Sequence, residues 1–343
     1  MAPALSIVAP CFNETSCLGA LHARVSAAAQ AAAGEDYELV LVDDGSTDGT
    51  WAMMQALAAS DPHLLAVRLS RNHGHQLALT AGLDLCSGER ILIIDADLQD
   101  PPELLPAMMA EMDRQQADVV YGIRRSREGE SLLKLTTASL FYRGLSRLAE
   151  IDIPTDVGDF RLMTRRALDA LLSLPEQARF IRGMVAWVGF RQVPFAYDRE
   201  QRHAGRTKYP LRKMVRLAAD AVTGFSTLPL RLAMHTAAAL ALCSILLLIY
   251  IVERWWVGRT VVGWPSLMAV ITVLGAAQMG ALAMIGEYLG RVYVEVKRRP
   301  LYIVGEIAGR DPAPAVLGHV AQPAREITAS SDSPGGSGTR PIT

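Results

Sequence analysis

The sequence is poor in cysteine. Four cysteines occur in 343 residues (Cys11, Cys17, Cys86 and Cys243), with no CxxC pair and with Cys243 inside an apolar run. That spacing excludes a zinc ribbon and a disulfide framework, and it suits a reducing compartment. Surplus charge is also lacking: 34 Lys+Arg stand against 35 Asp+Glu. A general nucleic-acid binder carries a basic excess, so no nucleic-acid partner is expected. Neither GxxxxGK[ST] nor a strand-following GxGxxG is present, which excludes the phosphate loops of P-loop ATPases and dinucleotide dehydrogenases. The N-terminus, MAPALSIVAPCFNE, has no basic n-region, and proline breaks its short apolar run. It does not read as a signal peptide, and the N-terminal domain is expected to stay in the cytoplasm.

What is present divides into unlike parts. Half of the residues are hydrophobic, which excludes a wholly disordered chain. Residues 4–122 alternate short apolar runs with helical patterns. Strands are expected at Leu5–Ala9, Glu38–Val42, Leu65–Leu69, Ile91–Ile94 and Val119–Tyr121, and helices near 15–32, 50–60, 75–86 and 103–115. Strand–helix repetition at this spacing predicts βαβ units and a mostly parallel sheet in an α/β domain covering residues 1–210. Ligands of such sheets bind beyond the carboxyl ends of the strands. Residues 132–149 form an amphipathic pattern that fits a core-covering helix and a membrane-facing one equally, and 156–198 return to mixed short elements.

The later chain is apolar. Residues 211–231 mix Arg212, Lys213, Arg216 and Arg231 with Leu, Met, Val and Phe, a pattern that suits a helix lying on a lipid bilayer. Residues 232–252 and 261–285 are free of formal charge. Each is long enough to cross roughly 30 Å of hydrocarbon at about 1.5 Å per residue. Two transmembrane helices, 232–252 and 261–286, are therefore expected, joined by a periplasmic loop at 253–260. Basic residues flank both outer ends, with Arg291, Lys297, Arg298 and Arg299 on the far side. They place both termini in the cytoplasm of a multi-pass inner-membrane protein. Residues 287–310 then form a cytoplasmic segment. Ala276, Gly280, Gly286 and Gly290 permit close helix packing within or between chains. From about Asp311 the chain is rich in Pro, Ala, Gly and Ser and is expected to be a disordered tail.

The acidic motifs sit at the expected strand ends. IIDADLQDPPE (93–103) sets Asp95 and Asp97 at i and i+2 just past an apolar strand, with Gln99 as a third oxygen. Such ligands suit Mg²⁺ or Mn²⁺, which leave coordination positions open for phosphates. VDDGSTDGT (42–50) offers Asp43 and Asp44 to a ribose or base edge, while Thr47 or Asp48 suits a helix cap. APCFNE (9–14) brings Pro10, Asn13 and Glu14 to the end of the first strand. For Glu14, a cap and a nucleotide contact fit equally. His73 and His75 have no third ligand nearby and make a poor zinc pair; surface or hydrogen-bonding histidines fit better. Arg124, Arg125 and Arg127, and later Arg202, His203, Arg206 and Lys208, form basic clusters. Beside a phosphate-handling site such clusters grip a diphosphate or an anionic lipid head.

Taken in order, SIVAPCFNE, VDDGSTDGT, SRNHGHQLAL, DADLQDPPE, GDFRLM and HAGRTKYPLRK, followed by two apolar spans, resemble the family 2 glycosyltransferases of the polyprenyl-phosphate type over about residues 4–300. This group includes dolichol-phosphate mannose synthases and bactoprenol glucosyltransferases. The resemblance implies a GT-A nucleotide-binding domain, a nucleotide-sugar donor and a polyprenyl phosphate acceptor. It implies a divalent ion on Asp97, helped by Asp95 and Gln99, and nucleoside contacts from Asp43 and Asp44. Asp159 of GDFRL takes the position of the catalytic carboxylate, and Arg202, Arg206 and Lys208 become candidates for gripping phosphate. The QxxRW signature of processive synthases is absent, so one sugar is expected to move per reaction. UDP-glucose is the first donor expected; GDP-mannose and UDP-aminoarabinose types remain open, as does a non-catalytic nucleotide-sugar scaffold. Similar proteins favour a homotetramer.

Overall fold

The computed structural model describes residues 2–124, 157–198, 228–258 and 263–310. The chain begins with β1 (Leu5–Cys11), α1 (Thr15–Ala33), β2 (Tyr37–Asp43), α2 (Thr50–Ser60), β3 (Leu64–Leu69), α3 (His75–Leu85) and β4 (Arg90–Ile93). A 3-10 turn (Pro102–Leu104) leads into α4 (Leu105–Gln115), followed by β5 (Val119–Arg124) and β6 (Val157–Thr164). Next come α5 (Arg165–Leu172), α6 (Ile181–Val188) and β7 (Gln192–Tyr197). Two long helices, α7 (Leu228–Trp256) and α8 (Trp264–Lys297), precede a last strand, β8 (Val304–Gly309).

The eight strands form one sheet in the order β7-β5-β6-β4-β1-β2-β3-β8. The centre, β4-β1-β2-β3, is parallel, as is β5 with β7. The sheet is nevertheless mixed, because β6 runs antiparallel to both β4 and β5, and β8 runs antiparallel to β3. The expectation of a mostly parallel sheet therefore holds only for its βαβ core. Both antiparallel strands come from later in the chain than the βαβ core.

Side chains alternate across the sheet, and both faces are covered. Leu5, Ile7, Ala9, Leu39 and Leu41 pack on the side of α1, α2 and α4. Val8, Val40, Val42, Ile91 and Ile93 pack on the side of α3, α5 and α6. This is why the strands read as continuous apolar runs rather than as alternating ones. The α3 backbone lies so close to β1 that a Cβ on Gly82 would overlap the Val8 side chain. That approach fixes the helix whose first turn enters the site.

The later chain departs from the expected boundaries. Residues 211–227, with Arg212, Lys213 and Arg216, lie outside the described residues, as do 132–149, 259–262 and the tail from 311. Helix α7 starts at Leu228 and continues through Glu253 and Arg254 to Trp256, so the expected loop begins only near Gly258, whose φ is +69°. Helix α8 runs eleven residues past the expected end at 286, since Lys297 is its last residue. The charges there do not break it, and an i,i+4 pair between Glu287 and Arg291 (3.2 Å) supports it. The two helices pack on each other and leave Ile245, Leu246, Ile249, Ile271, Leu282 and Ile285 uncovered. Among the described residues, no helix is long and apolar enough to cross a membrane; several positions of α7 and α8 fall outside that description.

The segment after α8 returns to the domain. Tyr302 donates to Asp84 (2.8 Å), Ser70 N donates to the Ile303 carbonyl (2.9 Å), and β8 extends the sheet beyond β3. The end of α8 is thus tied to the α/β domain.

Candidate active site

The β4–β6 register pairs Ile93 with Arg161. Continuing it two residues beyond Ile93 sets Asp95 opposite Asp159, so the antiparallel strand brings a second acid to the rim where DADLQD begins. Asp159 is buried and surrounded by donors. Arg182, from the first turn of α6, meets it twice, Nε to Oδ1 at 2.8 Å and Nη2 to Oδ2 at 3.1 Å. His75 Nε2, at the start of α3, lies 3.2 Å from Oδ2, and Gln76 Nε2 donates to the same oxygen at 3.5 Å. The buried Arg161 guanidinium is 3.8 Å away. Gln76 also accepts from the Ile181 backbone N–H (3.0 Å), which fixes the start of α6.

These contacts set the charge states. Burial pushes Asp159 upward, but the His75 hydrogen bond, Arg182 and Arg161 outweigh it and hold its carboxyl well below the usual range. Asp95 goes the other way: burial first, then the charge of Asp159, push it up to about 6, with His75 opposing. His75 is lowered by burial but raised more by its bond to Asp159 and by Asp95, for a net upward shift. At neutral pH Asp159 is therefore held ionised among these cations.

Asp95 Oδ1 is buried and accepts no hydrogen bond; the His75 ring nitrogen is 3.6 Å from it. His75, Asp95 and Asp159 each offer a ligand atom within 4.8 Å of the others. An unsatisfied carboxylate oxygen at that point fits a cation. Asp159 is already loaded with arginine and is the weakest ligand of the three. Asp97 is half-buried, and its Oδ1 accepts from Gln99 N at 3.2 Å. Between them Leu98 is fully buried with φ +57°, a left-handed conformation that is costly for leucine and that bends the turn at the rim.

The other strand ends are stitched together by their own polar groups. Asp44 spends both oxygens on backbone N–H groups, those of His73 (2.7 Å) and Gly74 (2.9 Å). It anchors the loop that delivers His75. Gly45 has φ +71°, and a Cβ there would stand 2.7 Å from the Arg71 and Asn72 backbone. Asp43 is buried, its Oδ1 accepting from Ser46 N (3.0 Å). Asn13, at φ +58°, accepts from Thr47 N and donates its own N–H to Ser46 Oγ, both at 2.9 Å. Pro10 is buried within β1, in register with Val42. Glu14 makes no side-chain cap bond and instead accepts from the Cys17 thiol at 2.9 Å. Asp48 holds Thr50 N at the start of α2, at 3.1 Å.

Residues 6–172 match the sequence profile of glycosyl transferase family 2. The uncharacterized glycosyltransferase YkcC of Bacillus subtilis is 42% identical over 305 residues, covering 89% of this chain and 94% of that protein. The chain belongs to glycosyltransferase family 2. Its described domain is α/β with a mixed sheet, and the protein is a glycosyltransferase. The SfII prophage-derived bactoprenol glucosyl transferase of Shigella flexneri is 38% identical, covering 88% of this chain and 97% of that protein. The prophage bactoprenol glucosyl transferase homolog of Escherichia coli is 37% identical, covering 88% and 99%.

Within this glycosyltransferase the expected residues divide three ways. Asp95 and Asp159 converge. Asp43, Asp44, Asn13 and Glu14 line the neighbouring strand ends, with their polar groups largely turned inward. Arg124 ends β5 in register with Tyr197, but its side chain, and Arg125, Arg127, Arg202, Arg206 and Lys208 altogether, lie outside the described residues. Arg182, Arg161 and Gln76, which surround Asp159 together with the hydrogen-bonding His75, are not among the residues expected from the sequence. The signal available was the stretch RFIRG (179–183), where apolar residues place one arginine on the far side of a helical turn.

Proposed function

We propose that the chain transfers a single sugar, with UDP-glucose the first candidate donor, to the phosphate of a polyprenol at the cytoplasmic face of the inner membrane, inverting the anomeric carbon. The observation that carries this reading is Asp159 held by Arg182 and His75 beside Asp95, in a chain close in sequence to bactoprenol glucosyl transferases over nearly their whole length. A phosphate monoester has its second pKa near 6, so the lipid acceptor is largely dianionic at neutral pH and needs no strong base. Asp159 accordingly keeps its charge throughout and aims Arg182, a third exposed, at the phosphate groups. Arg182 offsets the repulsion between the incoming lipid phosphate and the departing diphosphate.

Asp95 and Asp97, with the His75 ring alongside, are the residues that would hold Mg²⁺ or Mn²⁺. Bound there, the cation neutralises charge developing on the leaving diphosphate. Gln99 shapes the turn through its backbone N–H. The arginines and lysine of 202–208 complete the anion grip in this reading.

In this reading the two long helices anchor the site beside its lipid. At about 1.5 Å per residue, the 29 residues of α7 and 34 of α8 reach about 43 and 51 Å, longer than the roughly 30 Å of a bilayer's hydrocarbon core. The return of β8 to the sheet supports a hairpin with both ends on the catalytic side. A Cβ added at Gly280, Gly286 or Gly290 meets nothing within 4 Å, which leaves that face for a second copy and supports a homo-oligomer, a tetramer in this reading. The test is a donor screen. Membranes bearing the chain are incubated with labelled UDP-glucose, GDP-mannose or UDP-aminoarabinose, and the lipids are separated. A labelled, acid-labile lipid from UDP-glucose is expected, and absence of labelled lipid from every donor overturns the reading.

A further inference from the structure

Asp43, Arg68 and Glu306 stand in one row across three strands. Asp43 is in register with Arg68 on β3, and Arg68 with Glu306 on β8. Residues opposite one another share a face of the sheet, so the row alternates in charge: minus, plus, minus. Asp43 is fully buried, and its Oδ2 accepts no hydrogen bond; the charge facing it is Arg68 Nε at 3.5 Å. A buried carboxylate without a counter-charge is costly, so Asp43 depends on where Arg68 points.

Arg68 is a long side chain, 36% exposed, and something must hold it. Glu306 Oε1 takes its Nη1 at 2.9 Å, and Oε2 accepts from Trp51 Nε1 at 3.0 Å. The Trp51 ring lies 6.0 Å from the guanidinium, so Arg68 is clamped from two sides. Asp43 in turn holds Ser46 N, and Ser46 holds Asn13, the two loops that end β1 and β2.

We propose that Glu306, on the strand that follows the second long helix, is a positioning residue for the nucleoside end of the donor site, acting through Arg68 and Asp43. This rests on the nucleotide-sugar reading of the site. It gives the C-terminal strand a role in the reaction besides completing the sheet. Asp95, Asp159 and Arg182 sit on other elements and are untouched by it.

The test uses the full-length chain in detergent and titrates UDP and GDP alone, then measures steady-state transfer. Glu306→Ala is expected to weaken nucleotide binding and raise the donor KM by about fivefold, the change matching ~1 kcal/mol for an exposed ion pair. The kcat should stay within about twofold, as for loss of uniform binding, and the acceptor KM should not move. Glu306→Asp should recover part of the affinity. Should Glu306→Ala fail to fold, Glu306→Gln is read instead, since it keeps the Trp51 bond and loses only the charge. Unchanged nucleotide affinity, or an equal fall in kcat with KM constant, overturns the positioning role. Wild-type protein that binds neither nucleotide overturns the donor reading itself.

Discussion

Arg182 and Asp159 meet through two parallel hydrogen bonds, although one is a third exposed and the other is buried. The pairing divides the work: the carboxylate supplies a fixed direction and the guanidinium faces the cleft. Replacing each partner should therefore give different outcomes. Arg182→Ala leaves Asp159 paired with Arg161 and His75, so the fold should persist while kcat falls by about 10²–10³. Asp159→Asn strips the buried Arg161 of its counter-charge and should lose about 3–5 kcal/mol of stability as well. Thermal melts beside initial rates check this, and an Arg182→Ala protein that is unstable but fully active per folded molecule contradicts it.

Asp95 carries the opposite burden. Burial and the neighbouring Asp159 charge push its carboxyl up to about 6 in the folded chain, above the ordinary aspartate value of about 4. A folded value above the unfolded one means that stability falls as pH rises from about 4 to about 6, because ionisation of the buried group opposes the fold. Asp95→Asn, neutral at every pH, should therefore raise the melting temperature at pH 7 and flatten that slope. Mn²⁺ should raise the melting temperature of the wild type, and Asp95→Asn should remove that gain. A lower melting temperature for Asp95→Asn would show that the ionised carboxylate is needed by the fold.

The same shift predicts the acid limb of the rate. As pH falls through about 6, Asp95 takes up a proton and loses its affinity for a cation, so transfer should decline there and recover with excess Mg²⁺ or Mn²⁺. Asp159 stays ionised throughout this range. A profile flat down to pH 5 contradicts the assignment of Asp95.

The hairpin reading of α7 and α8 is open to labelling. Cys11, Cys17 and Cys86 are buried and Cys243 is exposed, so a Cys243→Ser background leaves little reactive thiol. In it, Gly258→Cys, at the turn between the long helices, should react with an impermeant maleimide in intact cells. Arg310→Cys, just after β8, should react only after lysis. Labelling of both from outside, or of neither until lysis, contradicts the topology.

Much of the fold is legible because buried parallel strands announce themselves: Leu5–Cys11, Tyr37–Asp43 and Leu64–Leu69 extend the expected apolar runs by only a residue or two at their ends. Strands β6 and β8 are less visible. The first carries Asp159 and Arg161 inside an otherwise apolar stretch, since Asp159 is neutralised by Arg182 and His75 from distant parts of the chain and Arg161 by Asp159 itself. The second, VGEIAG, has two glycines and one charge and becomes a strand through pairing with β3. The site shows the same split. The positions of Asp95 and Asp97 follow from being just past an apolar strand, whereas Arg182 is assigned only when α6 packs against β6. Asp44 looks open as a sequence motif, yet both its oxygens are taken by backbone N–H groups.

The most direct test uses purified full-length protein, UDP-glucose and a short polyprenyl phosphate, with the product's anomeric configuration and linkage read by NMR. The account predicts a single glucose joined to the lipid phosphate with inverted configuration, formed by the wild type and lost in Arg182→Ala. Glucose on a hydroxyl, retained configuration, or undiminished product from Arg182→Ala would contradict it.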